Sequence, residues 1–399
     1  MLREILLRLP LDLYSLPRAS AVCKQWRGIL ADPKFLRRFY AHHRKPPLLG
    51  FFHYGSTQIA FMPVLAPAPD RITPGRFSLG HYSKCILLDS RHGRALVLDL
   101  QHEEVVVCDP ITNKHHRVPI PPEFTECFFN AAVLCAASYQ GHVHGGCHLC
   151  PFKVVLVSYR DNTHPYASVY SSETTTWGNV ISTEASDDTV FGACRSTLVD
   201  NVLYWPAKEK GDDIVEFDLG TQNLSVIKGP QANDLNNASR KIMQADNGDV
   251  GLAILSYPYF QMWQRDLNYH GVMRWVLQKT IDISIILGLP PLIEARLEEW
   301  KTIEGYTEDA IFLCVGGSLY MVQLDSMKSK RLQESDNFFC CRPFTSFYAP
   351  GDCSFSHVSY MVAEMSLFFF LCHDNKSLVT SVPQHNCQMS ENIKSNVNE

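Results

Sequence analysis

The chain changes its hydrophobic period once, near residue 46, and that change limits what it can fold into. Ahead of it, apolar residues recur at helical spacing. Behind it, they form short β-branched and aromatic runs cut by Gly, Pro, Asn and Asp. In the first part Leu2, Ile5, Leu6 and Leu9 make one stripe at i, i+3, i+4 and i+7, Arg3, Glu4 and Arg8 fill the other face, and Pro10 ends the run. A second pattern runs through Leu16, Ala19, Val22 or Cys23, Trp26 and Ile29 or Leu30, with Pro17 tolerated in the first turn. Asp32-Pro33 reads as the cap and first residue of a third helix carrying Phe35, Leu36 and Phe39. The expectation is a small all-α unit of three short helices over residues 1–45. So few residues bury little alone, which favours a partner-binding role.

Lys45-Pro46-Pro47 marks the boundary to a second domain expected over 46–382. Its strands are predicted at 48–52, 86–88, 95–98, 105–108, 154–158, 202–205, 214–217, 251–255, 311–315 and 319–323. A repeat runs through it. Val106-Val-Cys-Asp109-Pro-Ile-Thr112-Asn113 and Val215-Glu-Phe-Asp218-Leu-Gly-Thr221-Gln222 share the frame apolar-Asp-x-x-Thr-(Asn/Gln), the mark of a strand, a tight polar turn and a return strand. Looser copies place hairpin centres near 56, 111, 173, 220, 268 and 327, about 54 residues apart. Four-stranded blades with long loops give this spacing, so the all-β domain is expected to be a β-propeller of six blades, with six to eight admitted. Trp177, Trp205, Trp263 and Trp275 sit at similar places in these hairpins and are expected to pack between blades.

Charge divides at the same boundary. Residues 1–45 hold ten Lys and Arg against three acids, a net of +7, while the whole chain is −5, so residues 46–399 carry −12. A basic helical face suits an acidic protein surface, and the apolar stripe with its Trp fits a helix-on-helix interface better than a phosphate track, so no nucleic-acid role is expected. Fourteen cysteines without a secretory leader point to a reduced, intracellular setting, cytoplasm and/or nucleus. The apolar run Met361 to Cys372 contains Glu364 and is too short to span a membrane; it is expected to be a core strand. Residues 383–399 are polar and expected to be a disordered tail.

Chemistry-bearing motifs are sparse. Cys135, His142, His144, Cys147, His148 and Cys150 are metal-type ligands, but they crowd one Gly-rich loop instead of forming two separated knuckles, so a flexible inter-strand loop is preferred to zinc and no metal or cofactor is expected. His102-Glu103-Glu104 lacks the second His of a zincin helix, Cys372-His373 is the kind of adjacency that 14 Cys and 16 His produce by chance, and Asp187-Asp188 and Asp212-Asp213 read as loop decoration. No phosphate loop, dinucleotide fingerprint or nucleophile elbow occurs. The chain is not expected to be an enzyme.

The order Leu-x-Glu-Ile-Leu-x-Arg-Leu-Pro, then Leu16-Pro-Arg-Ala-Ser-x-Val22-Cys23-Lys24-x-Trp26-Arg27, then Asp32-Pro-x-Phe-Leu-Arg-Arg-Phe39 resembles the F-box, in the version found in the large plant (grass) F-box family. Stretches such as Val169 to Trp177, Leu203-Tyr-Trp205 and Pro343 to Tyr348 resemble the propeller-type associated domain of the same proteins. The resemblance implies the substrate-recognition subunit of a cullin–RING (SCF-type) ubiquitin ligase. Its helices would dock on a Skp-type adaptor, and through it a cullin scaffold, by way of Leu2, Ile5, Leu6, Leu9, Pro10, Val22, Cys23 and Trp26. The propeller would bind an unknown target protein. The family's F-box normally begins several residues earlier, so a short, uncapped first helix and weakened docking are expected. The alternative is an interaction propeller that no longer assembles into a ligase, ahead of a metal-binding or hydrolytic protein.

Overall fold

In a computed structural model, the described residues are 1–347 apart from 12–14, 55–57, 65–76, 78, 80–83, 126, 139–141, 161–163, 185–194, 207–212, 231–237, 257, 269, 289–300 and 335–340. The chain opens with α1 (Leu2–Leu7), α2 (Ser15–Val22), α3 (Lys24–Leu30) and α4 (Pro33–His43). The single helix expected through Leu16 to Leu30 is therefore two, and among the described residues the unit has four helices, not three. The break lies at Cys23, whose backbone is extended (φ −162°, ψ 169°). No Gly or Pro marks it. Ser20 Oγ instead donates to the Pro17 carbonyl, 2.7 Å, and Arg27 Nε donates to the Ser20 carbonyl, 3.3 Å, so side chains take over carbonyl bonding where the ladder stops. Asp32 caps α4 as expected, accepting the Lys34 N–H at 3.0 Å.

Six antiparallel sheets follow. Blade one is β1 (Leu48–Tyr54) and β2 (Ile59–Pro63), completed from the far end of the chain. Blade two is β3 (Cys85–Arg91), β4 (Arg94–Asp99), β5 (Glu104–Asp109) and β6 (Lys114–Pro119). Blade three is β7 (Phe129–Cys135), β8 (Phe152–Arg160) and β9 (His164–Ser171), with the short β10 (Thr176–Trp177) and β11 (Ile181–Ser182) both on β9. Blade four is β12 (Thr197–Val199), β13 (Val202–Pro206), β14 (Asp213–Asp218) and β15 (Asn223–Lys228). Blade five is β16 (Ser239–Gln244), β17 (Val250–Ser256), β18 (Tyr259–Leu267) and β19 (Met273–Asp282), and the short helix α5 (Ile283–Leu287) leads on. Blade six is β20 (Lys301–Thr307), β21 (Ala310–Val315), β22 (Ser318–Gln323) and β23 (Ser329–Glu334). Last comes β24 (Arg342–Thr345), which pairs with β1 and closes the ring. Every strand predicted between residues 48 and 323 is present, and the six expected hairpin centres fall in six different blades. The ring closes through residues 342–345; the run 361–372, the tail 383–399 and the Cys372-His373 pair lie outside the described residues.

The repeat has a local cause. Asp109 Oδ1 accepts the N–H groups of Ile111 (3.0 Å) and Thr112 (3.2 Å), and Asp218 Oδ1 accepts those of Gly220 (2.7 Å) and Thr221 (2.9 Å). The next residues, Asn113 and Gln222, then take positive φ (56° and 53°) to start the return strand. Asp99 makes the same turn, accepting Gln101 and His102 N–H with Glu103 at φ 54°. That third copy has His102 where the frame has Thr and Glu103 where it has Asn or Gln, so the frame does not catch it.

Packing between blades explains why the strands are nearly continuous apolar runs. Both faces of each sheet are covered, so neighbouring residues enter different interfaces: Phe51 packs with Phe312 of blade six, and Phe52 with Phe61, Phe77 and Phe344 toward blade two. Six buried clusters each join two adjacent blades. Two of the Trp residues pin the outer edge: Trp177 Nε1 donates to the Pro119 carbonyl at 2.9 Å, and Trp275 Nε1 to the Lys228 carbonyl at 2.8 Å, each the last residue of the preceding blade's outer strand. Trp205 is fully buried and Trp263 packs at the interface of blades four and five. Blade packing, as expected, is where all four reside. No helix among the described residues is long and apolar enough to cross a membrane.

Candidate functional site

The helical unit has its own core, and the core sorts the eight residues expected to dock a partner. Leu6 is 0% exposed, enclosed with Leu7, Leu16, Ala19, Leu30, Phe35 and Phe39. Leu2, Leu9 and Trp26 lie half-buried against the same cluster. Ile5 (55% exposed), Pro10, Val22 (60%) and Cys23 face solvent. Large aliphatic side chains this exposed on a unit that has already filled its core leave apolar surface uncovered, and Arg3, Arg8, Lys24 and Arg27 are exposed too. Helical period alone places Ile5 and Leu6 on one stripe; only the packing of α1 against α4 turns them apart.

The helices rest on one end of the ring. Tyr40 of α4 stacks on Phe347 (ring centroids 4.2 Å apart), and Lys45 Nζ reaches Asp309 Oδ1 at 2.5 Å and Glu308 Oε2 at 3.3 Å in the β20–β21 turn. The β7–β8 loop fills the space between: a Cβ on Gly146 would stand 2.5 Å from the Tyr40 ring, and one on Gly145 (φ 108°) 2.6 Å from Pro46. Substitution at either position would push helix and propeller apart. The loop called flexible from its sequence is thus packed. Arg94 Nη2 donates to the Cys147 and Cys150 carbonyls (2.5 and 2.6 Å), and His148 Nδ1 lies 2.8 Å from Asp109 Oδ2. Within it the neighbouring Cys147 lowers the pKa of the Cys135 thiol, and Cys135, with burial, raises that of Cys147.

The central channel is a second polar site, which the sequence did not reveal. A cavity of about 570 Å³ is lined by Asp89 and Arg91 of β3, Arg195 and Thr197 beside and on β12, Lys241 of β16 and Arg342 of β24. Arg91 Nη2 donates to the Ser196 carbonyl and hydroxyl (both 3.0 Å), Asp89 Oδ2 accepts the Val133 N–H (3.0 Å), and Thr197 Oγ1 donates to the Ile242 carbonyl (2.7 Å). Arg195 donates to the Glu304 and Cys341 carbonyls, and Arg342 to that of Leu88. These are struts between blades. Lys241 retains some exposure in the channel, yet burial first, then the charges of Arg195, Arg91 and Arg342, pull its amine down to about 7, with Asp89 opposing. The one available signal was a charge breaking an innermost strand, as in Cys85-Ile-Leu-Leu-Asp89-Ser-Arg91. Of the other motifs, His102 is bonded to its own turn Asp99 and Asp213 pairs with Lys228 at 2.7 Å, both surface or turn roles; residues 187, 188 and 212 lie outside the described residues.

The described residues thus form a helical unit seated on a closed six-bladed β-propeller. Comparison with known families gives it a name. The chain belongs to the family described as F-box protein AT5G49610-like, beta-propeller, whose family model matches residues 86–351, and an F-box domain model matches residues 1–38. It is similar to the F-box protein At3g26010 of Arabidopsis thaliana, 29% identical over 185 residues, covering 44% of this chain and 41% of that protein. The chain thus spans about two-fifths of the length of that curated relative. Among solved structures it is similar to a nidogen/laminin complex (TM-score 0.37, 10% identity, 74% of this chain and 95% of that one) and to the dihydro-heme d1 dehydrogenase NirN (TM-score 0.33, 10% identity, 57% and 45%), scores too low to bear on function.

Proposed function

We propose that the chain is the substrate-recognition subunit of an SCF-type cullin–RING ubiquitin ligase. Ile5, Pro10, Val22 and Cys23 meet a Skp-type adaptor, which joins the chain to a cullin scaffold, and the propeller holds a target protein. The observation that carries it is the exposed apolar surface on a cationic helical unit, in the segment that matches the F-box. Leu6 contributes indirectly, by holding α1 in place. Catalysis is left to the partner complex, and the grass version of the family is the one that the Val22-Cys23-Lys24-Gln25-Trp26-Arg27 core resembles. The same reading puts the chain in the cytoplasm and/or nucleus, where fourteen cysteines persist as thiols. Every contact given above between helices and propeller falls at the end carrying the β7–β8 loop and the β20–β21 turn, so the target's place is the opposite end.

Binding of the purified chain to a Skp-type adaptor tests this directly. Ile5→Asp and Val22→Asp are each expected to weaken it at least tenfold, about 1.4 kcal/mol, with the thermal midpoint nearly unchanged because both positions are exposed. Leu6→Asp is expected to abolish binding by unfolding the helical unit, which far-UV circular dichroism separates from the other two. Undiminished binding by both surface variants overturns the assignment of contacts, and an unaltered chain that ignores the adaptor selects a propeller working outside a ligase.

A further inference from the structure

The β7–β8 connection brings four soft and borderline donors to one point. Cys135 ends β7, and His142, His144 and Cys147 follow on the loop. Cys135 Sγ lies 3.3 Å from His142 Nε2; Cys147 Sγ lies 3.4 Å from that same nitrogen and 3.8 Å from His144 Nδ1. All four donor atoms are within 4.8 Å of one another. A tetrahedral zinc with Zn–S near 2.3 Å and Zn–N near 2.0 Å sets its sulfur–nitrogen edges at about 3.5 Å. The three measured edges straddle that value.

Hydrogen bonding accounts for the cluster less well. One imidazole nitrogen, His142 Nε2, is approached by two sulfurs, and the single hydrogen it can share serves one of those two contacts at a time. A metal satisfies all four atoms at once. We propose that Cys135, His142, His144 and Cys147 form a closed Cys2His2 structural zinc site.

The surroundings are those of a supported site. The His92 ring stacks on His144 with centroids 3.8 Å apart, and His92 Nδ1 accepts the Cys135 N–H at 3.0 Å, fixing one Cys and one His from the β3–β4 turn of the neighbouring blade. Gly145, at φ 108°, makes the turn between His144 and Cys147, and its carbonyl accepts Phe347 N–H (3.0 Å) and Ser346 Oγ–H (2.8 Å). The ligand loop is therefore tied to the closing segment of the ring, to Pro46 and to Tyr40 of the last F-box helix. Zinc here would brace the junction of helices and propeller. The sequence argued against a site because the ligands lack paired knuckles; the hairpin supplies the missing geometry by returning the chain to the end of β7.

Elemental analysis of the full chain, purified without chelator, decides the matter. About one zinc per chain is expected, falling below about one-tenth in Cys135→Ser and Cys147→Ser, while Cys127→Ser keeps its metal. Should the Cys variants fail to fold, cobalt added to the metal-stripped native chain is the second measurement. A tetrahedral spectrum with intense visible bands and thiolate charge transfer, weakened in His142→Ala and His144→Ala, supports the site. A folded chain that holds no zinc after reconstitution, a cobalt spectrum without thiolate bands, or a Cys135–Cys147 disulfide seen as a mass lighter by two hydrogens overturns it. None of these readouts depends on adaptor binding, so this inference and the ligase reading can fail separately.

Discussion

Phe344→Ala is expected to cost about 3–5 kcal/mol and to open the ring. Phe344 is 1% exposed on β24, and its ring lies 5.2 Å from Phe52, 6.1 Å from Phe61 and 6.2 Å from Phe77. It is the aromatic anchor of the strand that joins the last-built part of the ring to the first. Blade one has no room to compensate: a Cβ on Gly50 would already stand 2.3 Å from the Met62 carbonyl oxygen. Truncation therefore leaves a cavity, and the weakened pairing exposes the edge of β1 to other chains. Urea unfolding should show the midpoint falling steeply with aggregation at low denaturant, and Phe344→Leu, which keeps much of the volume, should recover most of the loss. A change in stability under about 1 kcal/mol for the alanine variant would mean that β24 does not hold the ring.

Lys241→Met is expected to stabilise the protein, and by an amount set by pH. The folded-state amine titrates near 7, while an unfolded lysine titrates near 10.4. Between those values the unfolded chain binds more protons, so the stability of the native protein rises with pH across the window. Below it the buried cation carries its full cost, on the order of 4 kcal/mol from the size of the depression. Methionine has a similar length and no charge to desolvate. The gain measured by urea unfolding should thus be greatest below pH 7 and shrink toward zero as pH nears 10. A gain that does not vary with pH, or a loss at pH 6, would show that Lys241 is not held against the surrounding arginines as described.

The two substitutions probe features of different legibility. Tight polar turns depend on a side chain bonding two or three residues ahead, as Asp109 and Asp218 do, so a repeat in the sequence was enough to place hairpins in six blades; the positive φ after those turns came from the structure. The break at Cys23 was not legible, because it rests on Ser20 and Arg27 side chains bonding carbonyls in place of any Gly or Pro. Nor was the division of the first stripe into an exposed Ile5 and a fully buried Leu6, which share a helical face in projection and are parted by where α4 lies.

By itself, then, the chain's period and its turn residues determined a helical unit followed by a propeller, because those signals act over a few residues and repeat. Tertiary structure alone decided the rest. Asp89, Arg195, Lys241 and Arg342 meet in one channel only when four blades converge, and Cys135 joins His142, His144 and Cys147 only when a hairpin brings the end of one strand back to its own loop. Contacts between residues far apart in the chain leave no periodic trace, since ring closure, not local spacing, brings their side chains together.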